Sequence, residues 1–96
     1  MIDEEMLAEI EALAVEMGVH IRYEKGDFDG GYCILRDERL IVVNKKFHPA
    51  RKASVIGQGL NQLGLENVYV KPAVRLFIDD ELSKLRKPGQ QSMGVE

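Results

Sequence analysis

Between Pro49 and Gly64 the chain reads PARKASVIGQGLNQLG, and this stretch constrains the fold more than any other. Ala53, Ile56, Leu60 and Leu63 recur three or four residues apart, so they line one face of a helix and predict that this face is buried. Pro49 suits the first helical position, where its missing N–H leaves no bond unmade. Gly64 suits the left-handed position just past the end. Arg51, Gln58 and Gln62 fall on the opposite face, with the two glutamines adjacent along it.

Two glycines interrupt this helix. Each costs about 1 kcal/mol relative to alanine in a helix interior, so their presence implies that something packs close. Gly57 lies beside the Ile56–Leu60 stripe and is expected to admit a neighbouring strand or helix, so that Gly57→Ala clashes. Gly59 is expected to tolerate alanine if packing alone matters. The run Gln58-Gly59-Leu60-Asn61-Gln62 has the shape of an H-E-x-x-H zinc helix with its chemistry removed. That motif needs two histidines four apart to bind the metal and a glutamate to take a proton from a bound water. Gln58 and Gln62 replace the ligands with poorer ones, and Gly59 has no group to accept a proton. A plain amphipathic helix with two glutamines on its wet face accounts for the same residues.

The N-terminal segment Asp3–Met17 reads as a second amphipathic helix. Asp3 is placed as its N-cap, Ile2 and Leu7 as a hydrophobic staple, Met6, Ile10, Leu13 and Met17 as its buried stripe, and Gly18 as its stop. Glu9, Glu11 and Glu16 are expected to face water. Val19–Glu24 alternates apolar and polar residues, the pattern of a half-buried edge strand. Lys25–Gly30 is a turn-rich loop. Its Asp27 and Asp29 begin like a calcium loop but lack the later acidic ligands.

Gly31–Arg36 and Leu40–Asn44 read as strands of a β-hairpin turning at Asp37-Glu38-Arg39. Their apolar residues fall on both faces, which predicts strands that are central or covered on both sides. Cys33, between apolar neighbours, is expected in the core rather than as a nucleophile. Leu65–Lys71 is extended, either a connector or a fourth strand. Pro72 opens a last helix running to about Arg86, with Val74, Phe77, Ile78, Leu82 and Leu85 inward. Residues 87–96 read as a disordered tail behind a single domain, 1–86.

Charge and composition narrow the class. A chain of 96 residues suits one small domain with a modest core, and association with a partner would add to its stability. The net charge of −3 argues against a dedicated nucleic-acid binder. Lys45, Lys46, Arg51 and Lys52 nevertheless cluster at the start of the central helix, where an anion would be favoured. One cysteine cannot form an internal disulfide, the N-terminus is acidic rather than signal-like, and no apolar run approaches membrane-spanning length. The expectation is a cytoplasmic protein. A zinc site from His20, Cys33 and His48 would need three distant segments to converge without a close ligand pair.

The order helix, strand, hairpin, helix, extended link, helix resembles the core of the ImmA/IrrE-type metallopeptidases over roughly Gly18 to Phe77. The features that carry the resemblance are the apolar strand ending in asparagine (LIVVN, Leu40–Asn44), the start Pro49-Ala50-Arg51, and the helix where that family keeps H-E-x-x-H. Members of that family are zinc-dependent proteases, often tied to helix-turn-helix repressors, with a third, acidic ligand on a later helix. Between Val70 and Phe77 there is no acid, and Asp79 and Asp80 come late. The resemblance therefore carries over no catalytic or metal residue. The Gly-Gly-aromatic-Cys hairpin and the VYVKPAV segment also resemble those of small bacterial proteins.

These readings combine into an α+β domain, a small three-stranded sheet packed by three helices in the order α-β-β-β-α-(β)-α, with Leu65–Lys71 able to add a fourth strand. The expected function is a non-catalytic protein-interaction or regulatory module without cofactor or metal, using a vestigial groove formed by Arg51, Gln58, Gly59, Asn61 and Gln62. The partner is another protein or a second copy. The alternatives are an anion or nucleic-acid binder working through Lys45, Lys46, Arg51 and Lys52, and a small enzyme using Cys33.

Overall fold

The computed structural model describes residues 2–25 and 32–84, so Asp27, Asp29, Leu85 and the expected tail lie outside the described residues. The elements are α1 (Asp3–Glu16), β1 (His20–Glu24), β2 (Tyr32–Leu35), β3 (Leu40–Asn44), α2 (Pro49–Leu63) and α3 (Pro72–Lys84). This is the small α+β fold and element order expected from the sequence. Leu65–Lys71 is a connector with a turn at Glu66–Asn67, outside the sheet, which has three strands in the order β1-β3-β2.

β3 lies at the centre because it is both the second arm of a hairpin and the most apolar strand. It pairs antiparallel with β2, Ile34 opposite Ile41, and parallel with β1, Ile21 opposite Ile41. The His20 N–H donates to Arg39 O at 2.8 Å and the Lys45 N–H to Glu24 O at 3.0 Å, which closes the parallel pair at both ends. Alternation along β3 sends Ile41 and Val43 to one face, where both are 0% exposed. Leu40 and Val42 point the other way and are half-buried.

Among the described residues the heavy packing is on that first face. α2 packs against β3, α1 and α3, and α1 also reaches β1. The core joins Met6, Ile10 and Leu13 of α1, Ile41 and Val43 of β3, Ala53, Ile56 and Leu60 of α2, and Val74 and Ile78 of α3. Among the described residues no polar side chain is buried.

Several local expectations change. Ile2, not Asp3, is the N-cap of α1, and it stays exposed instead of forming a staple. The Glu5 carboxylate accepts the Ile2 N–H at 3.3 Å, so one orphan donor of the helix is met from within the first turn. Glu9 and Glu11 do not simply face water. Glu9 pairs with Lys71 at 2.9 Å, and the Glu11 carboxylate accepts a hydrogen bond from the Tyr23 hydroxyl. Gly18 ends α1 at φ +72°, as the sequence implied. Arg39 also takes a positive φ, 49°, in the hairpin turn. Its guanidinium donates to Met17 O at 2.8 Å and so meets the carbonyl end of α1, where the helix dipole favours a cation.

Tyr23 ties three elements together. It sits on β1, bonds Glu11 of α1, and has the Lys52 ammonium of α2 4.9 Å from its ring centroid. Burial first, then the hydrogen bond to Glu11 and that carboxylate's charge, raise the Tyr23 hydroxyl well above its ordinary value of 10.0. The folded state therefore holds this proton more tightly than the unfolded state. The stabilisation is complete below pH about 10 and is lost as pH rises from there toward the folded value. Tyr23→Phe is expected to cost about 1 kcal/mol at neutral pH and to flatten the decline in stability above pH about 10. Urea unfolding at neutral and alkaline pH reads both, and an unchanged alkaline slope would show that Tyr23 does not control it.

Candidate interaction surface

α2 is buried over more than half of its circumference, on the side that carries Ala53, Val55, Ile56, Gly57, Gly59 and Leu60. What remains is a ridge bearing Arg51, Gln58 and Gln62, with Ser54 and Asn61 half-buried on the flank toward α3. Pro49 is the first helical residue, as expected, with His48 as the N-cap before it; Gly64 follows the helix at φ 105°.

The ridge does not form one groove. The Gln58 amide donates to Ser54 Oγ at 3.0 Å, the Ser54 hydroxyl donates to Glu81 at 2.8 Å, and Lys84 holds the other Glu81 oxygen at 2.9 Å. Gln58 thus belongs to a polar chain that fastens α2 to α3. Gln62 turns to the opposite side. Its carbonyl accepts a bond from the Arg36 guanidinium at 3.1 Å, and its side chain lines a shallow recess with Ile34, Leu35, Arg36, Asp37 and Glu38.

Gly59 is the largest correction. It is buried, so it is no part of an accessible surface. A Cβ built on it would stand 2.8 Å from Ile41 Cδ1, closer than side chains normally approach, with Ile34 Cδ1 in ordinary contact at 3.4 Å. At Gly57 the equivalent contact is 3.2 Å, to Ile78 Cγ1, with Ile10 Cδ1 at 3.7 Å. Both glycines are packing residues, Gly57 toward α1 and α3 and Gly59 toward the sheet, and Gly59 is the tighter.

Cys33 is the second correction. It is exposed, because β2 lies at an edge and, among the described residues, the helices cover only one face of the sheet. Cys33 and Leu35 point to the open face, with Leu35 40% exposed. Cys33 stands opposite Val42, and Val42 opposite Arg22, so the first charge in that row is a strand away. Strand geometry puts Ile34 on the covered face and Cys33 and Leu35 on the other, but all four residues of YCIL are apolar, so no alternation in the sequence marks the strand as one-sided.

The basic residues are partly committed. The Arg51 guanidinium lies 4.9 Å from the Phe47 ring centroid, in the same kind of contact as Lys52 makes with Tyr23. Lys45 and Lys46 are exposed in the turn before α2, where the Lys46 N–H donates to Asn44 Oδ1 at 2.9 Å.

The zinc chemistry that the resemblance implies does not fit these residues. The Gln58 amide is bonded within the protein, Gly59 faces the sheet without a side chain, and among the described residues no three of His, Cys, Asp or Glu group as metal ligands. Protein expressed in zinc-rich medium is expected to carry no stoichiometric zinc by metal analysis. One tightly held zinc per chain would overturn that expectation. Compared with known protein families, curated proteins and solved structures, the chain matches none. Among the described residues no helix is long and apolar enough to cross a membrane.

Proposed function

We propose that this protein is a non-catalytic interaction module that receives an extended peptide of a partner protein along the outer edge of β2. The observation that carries this reading is the contrast between the two edges of the sheet. β1 is HIRYE, with Arg22 and Glu24 on the strand, a charged edge of the kind that discourages further pairing. β2 is YCIL, with no charge and no proline, and among the described residues it pairs with β3 alone. Its outer backbone groups offer donors and acceptors to another strand, and the recess between Leu35 and Gln62 offers a seat for alternate side chains. In this reading the α2 helix keeps the structural task of a metallopeptidase-like helix, and recognition has moved to the strand beside it.

Cys33 is a built-in reporter of such binding. In free native protein it is expected to react with a thiol reagent without prior unfolding, as an exposed thiol does. Peptides selected from a random library on the immobilised protein should alternate apolar and polar residues, slow the labelling of Cys33, and lose affinity for Leu35→Lys. Selected peptides that leave Cys33 labelling unchanged and bind Leu35→Lys equally well would sink the proposal.

A further inference from the structure

α1 carries Asp3, Glu4, Glu5, Glu9, Glu11 and Glu16 and no basic residue. Its outward side is not purely polar. Ala8, Ala12 and Val15 follow one another at helical spacing on the exposed side, and Val15 is 76% exposed. The chain leading into α3 runs alongside and leaves Tyr69 74% exposed. Between the two lies a pocket of about 140 Å³. Buried Leu13 and Val74 form its floor, and Ala12, Tyr69 and Val70 its walls. Its rim consists of Glu9, Glu16 and Lys71. The Glu9 carboxylate holds the Lys71 ammonium at 2.9 Å, and that hydrogen bond, with a smaller contribution from the Glu16 charge, raises Lys71 above the ordinary lysine value. Two carboxylates against one ammonium leave the rim negative.

We infer that this groove docks a basic amphipathic helix of another protein, with one apolar side chain in the pocket and lysines or arginines against Glu9, Glu16 and the acidic face of α1. The pocket volume is close to that of an apolar cavity that holds a single benzene ring, about 150 Å³, so it takes one leucine- or phenylalanine-sized anchor. Ala8 and Ala12 have no bulk to hold a helical backbone away. Among the described residues no strand edge borders this groove, so an extended peptide has nothing to pair with. Tyr69 is the kind of side chain that dominates an interface once it is covered. The sign of the charge separates this partner from the competing occupants. The outward side of α3 pairs Leu76 with Asp79 and Asp80, and α1 is itself acidic, so these two helices of a second copy would bring carboxylates against carboxylates, while the outward ridge of α2 carries Arg51, Gln58 and Gln62 rather than an apolar anchor between basic residues. An anionic lipid surface is repelled for the same reason. This site is separate from the β2 edge and stands whether or not that edge binds peptide.

The test is a titration of the isotopically labelled full chain, followed residue by residue by NMR, with a leucine/lysine amphipathic helical peptide. A scrambled lysine peptide of the same composition and a leucine/glutamate peptide of the same pattern serve as comparisons. The expected result is saturable shifts confined to Ala12, Glu16, Tyr69, Val70 and Val74, weakened by added salt and absent with the glutamate peptide. Tyr69→Ser and Glu16→Lys, both at exposed positions and checked by thermal melts, should each weaken binding by about tenfold. Shifts spread over the whole surface, equal binding of the scrambled or glutamate peptide, or full affinity in both variants would overturn the inference. So would concentration-dependent shifts at the same residues without peptide, which would identify a second copy as the occupant.

Discussion

Gly59→Val is expected to lower the melting temperature by about 10–20 °C, which corresponds to roughly 3 kcal/mol in a domain of this size. A first added carbon already meets Ile41 Cδ1 at 2.8 Å. Ile41 Cδ1 is the end of a flexible side chain, but Ile41 is 0% exposed, so turning the methyl aside displaces packed neighbours. Valine adds two further carbons, and a helix restricts it to one main rotamer. Gly59→Ala separates the opposing terms: alanine gains about 1 kcal/mol of helix propensity and loses it to the clash. Ile41→Val removes the carbon in the way. The double variant Gly59→Ala/Ile41→Val should therefore be more stable than the sum of the two single changes allows, by about 1 kcal/mol. Additive melts would mean that α2 can withdraw from the sheet at this point, and a Gly59→Val protein as stable as the wild type would refute the close approach outright.

Ile10→Ala is expected to have an effect of similar size through the opposite defect. Ile10 is 0% exposed, on the face of α1 that packs against α2, and its Cδ1 lies 3.7 Å from the position of a Cβ on Gly57. Truncation there leaves a void that close-packed neighbours fill only in part, at a cost of about 2–5 kcal/mol. Total stability for this length is about 5–14 kcal/mol, so the urea midpoint should fall by a large fraction with little change in slope. A loss below about 1 kcal/mol would place α1 outside the cooperative core. Val15→Ala is the matching control: it removes a side chain from the same helix at an exposed position and should leave the midpoint within about 0.5 kcal/mol of wild type.

Helical spacing was enough to place α1, α2 and α3 to within a few residues, because a buried helical face repeats at a period that few other arrangements share. Pro49, Gly18 and Gly64 marked ends for reasons that are local to the backbone, and the structure puts them at those ends. The hairpin at Asp37–Arg39 was legible for the same reason: its connection is too short for anything else. The N-cap of α1 was misplaced by one residue because Asp3 is a good cap by type, while the chain uses Glu5 to meet the Ile2 N–H instead.

The sites were much less legible. The sequence places Arg51, Gln58, Gly59, Asn61 and Gln62 together because all five lie on one helix around one vacant motif. Tertiary packing divides them: Gln58 goes to Ser54 and α3, Gln62 to the hairpin, and Gly59 into the sheet. Cys33 was expected in the core because free cysteine is commonly buried, but which face of β2 is covered depends on where α1 and α2 lie, and both lie on the other side. The pocket under Tyr69 joins α1 to a segment more than fifty residues later, and no periodicity within either reveals that they meet. By itself the sequence determined the elements, their ends and the small α+β class, because those depend on side-chain period and backbone freedom over a few residues. Only the tertiary structure decided which glycine is tight, which strands lie at the edges of the sheet and which acidic residues border a cavity, because each depends on what distant chain arrives alongside.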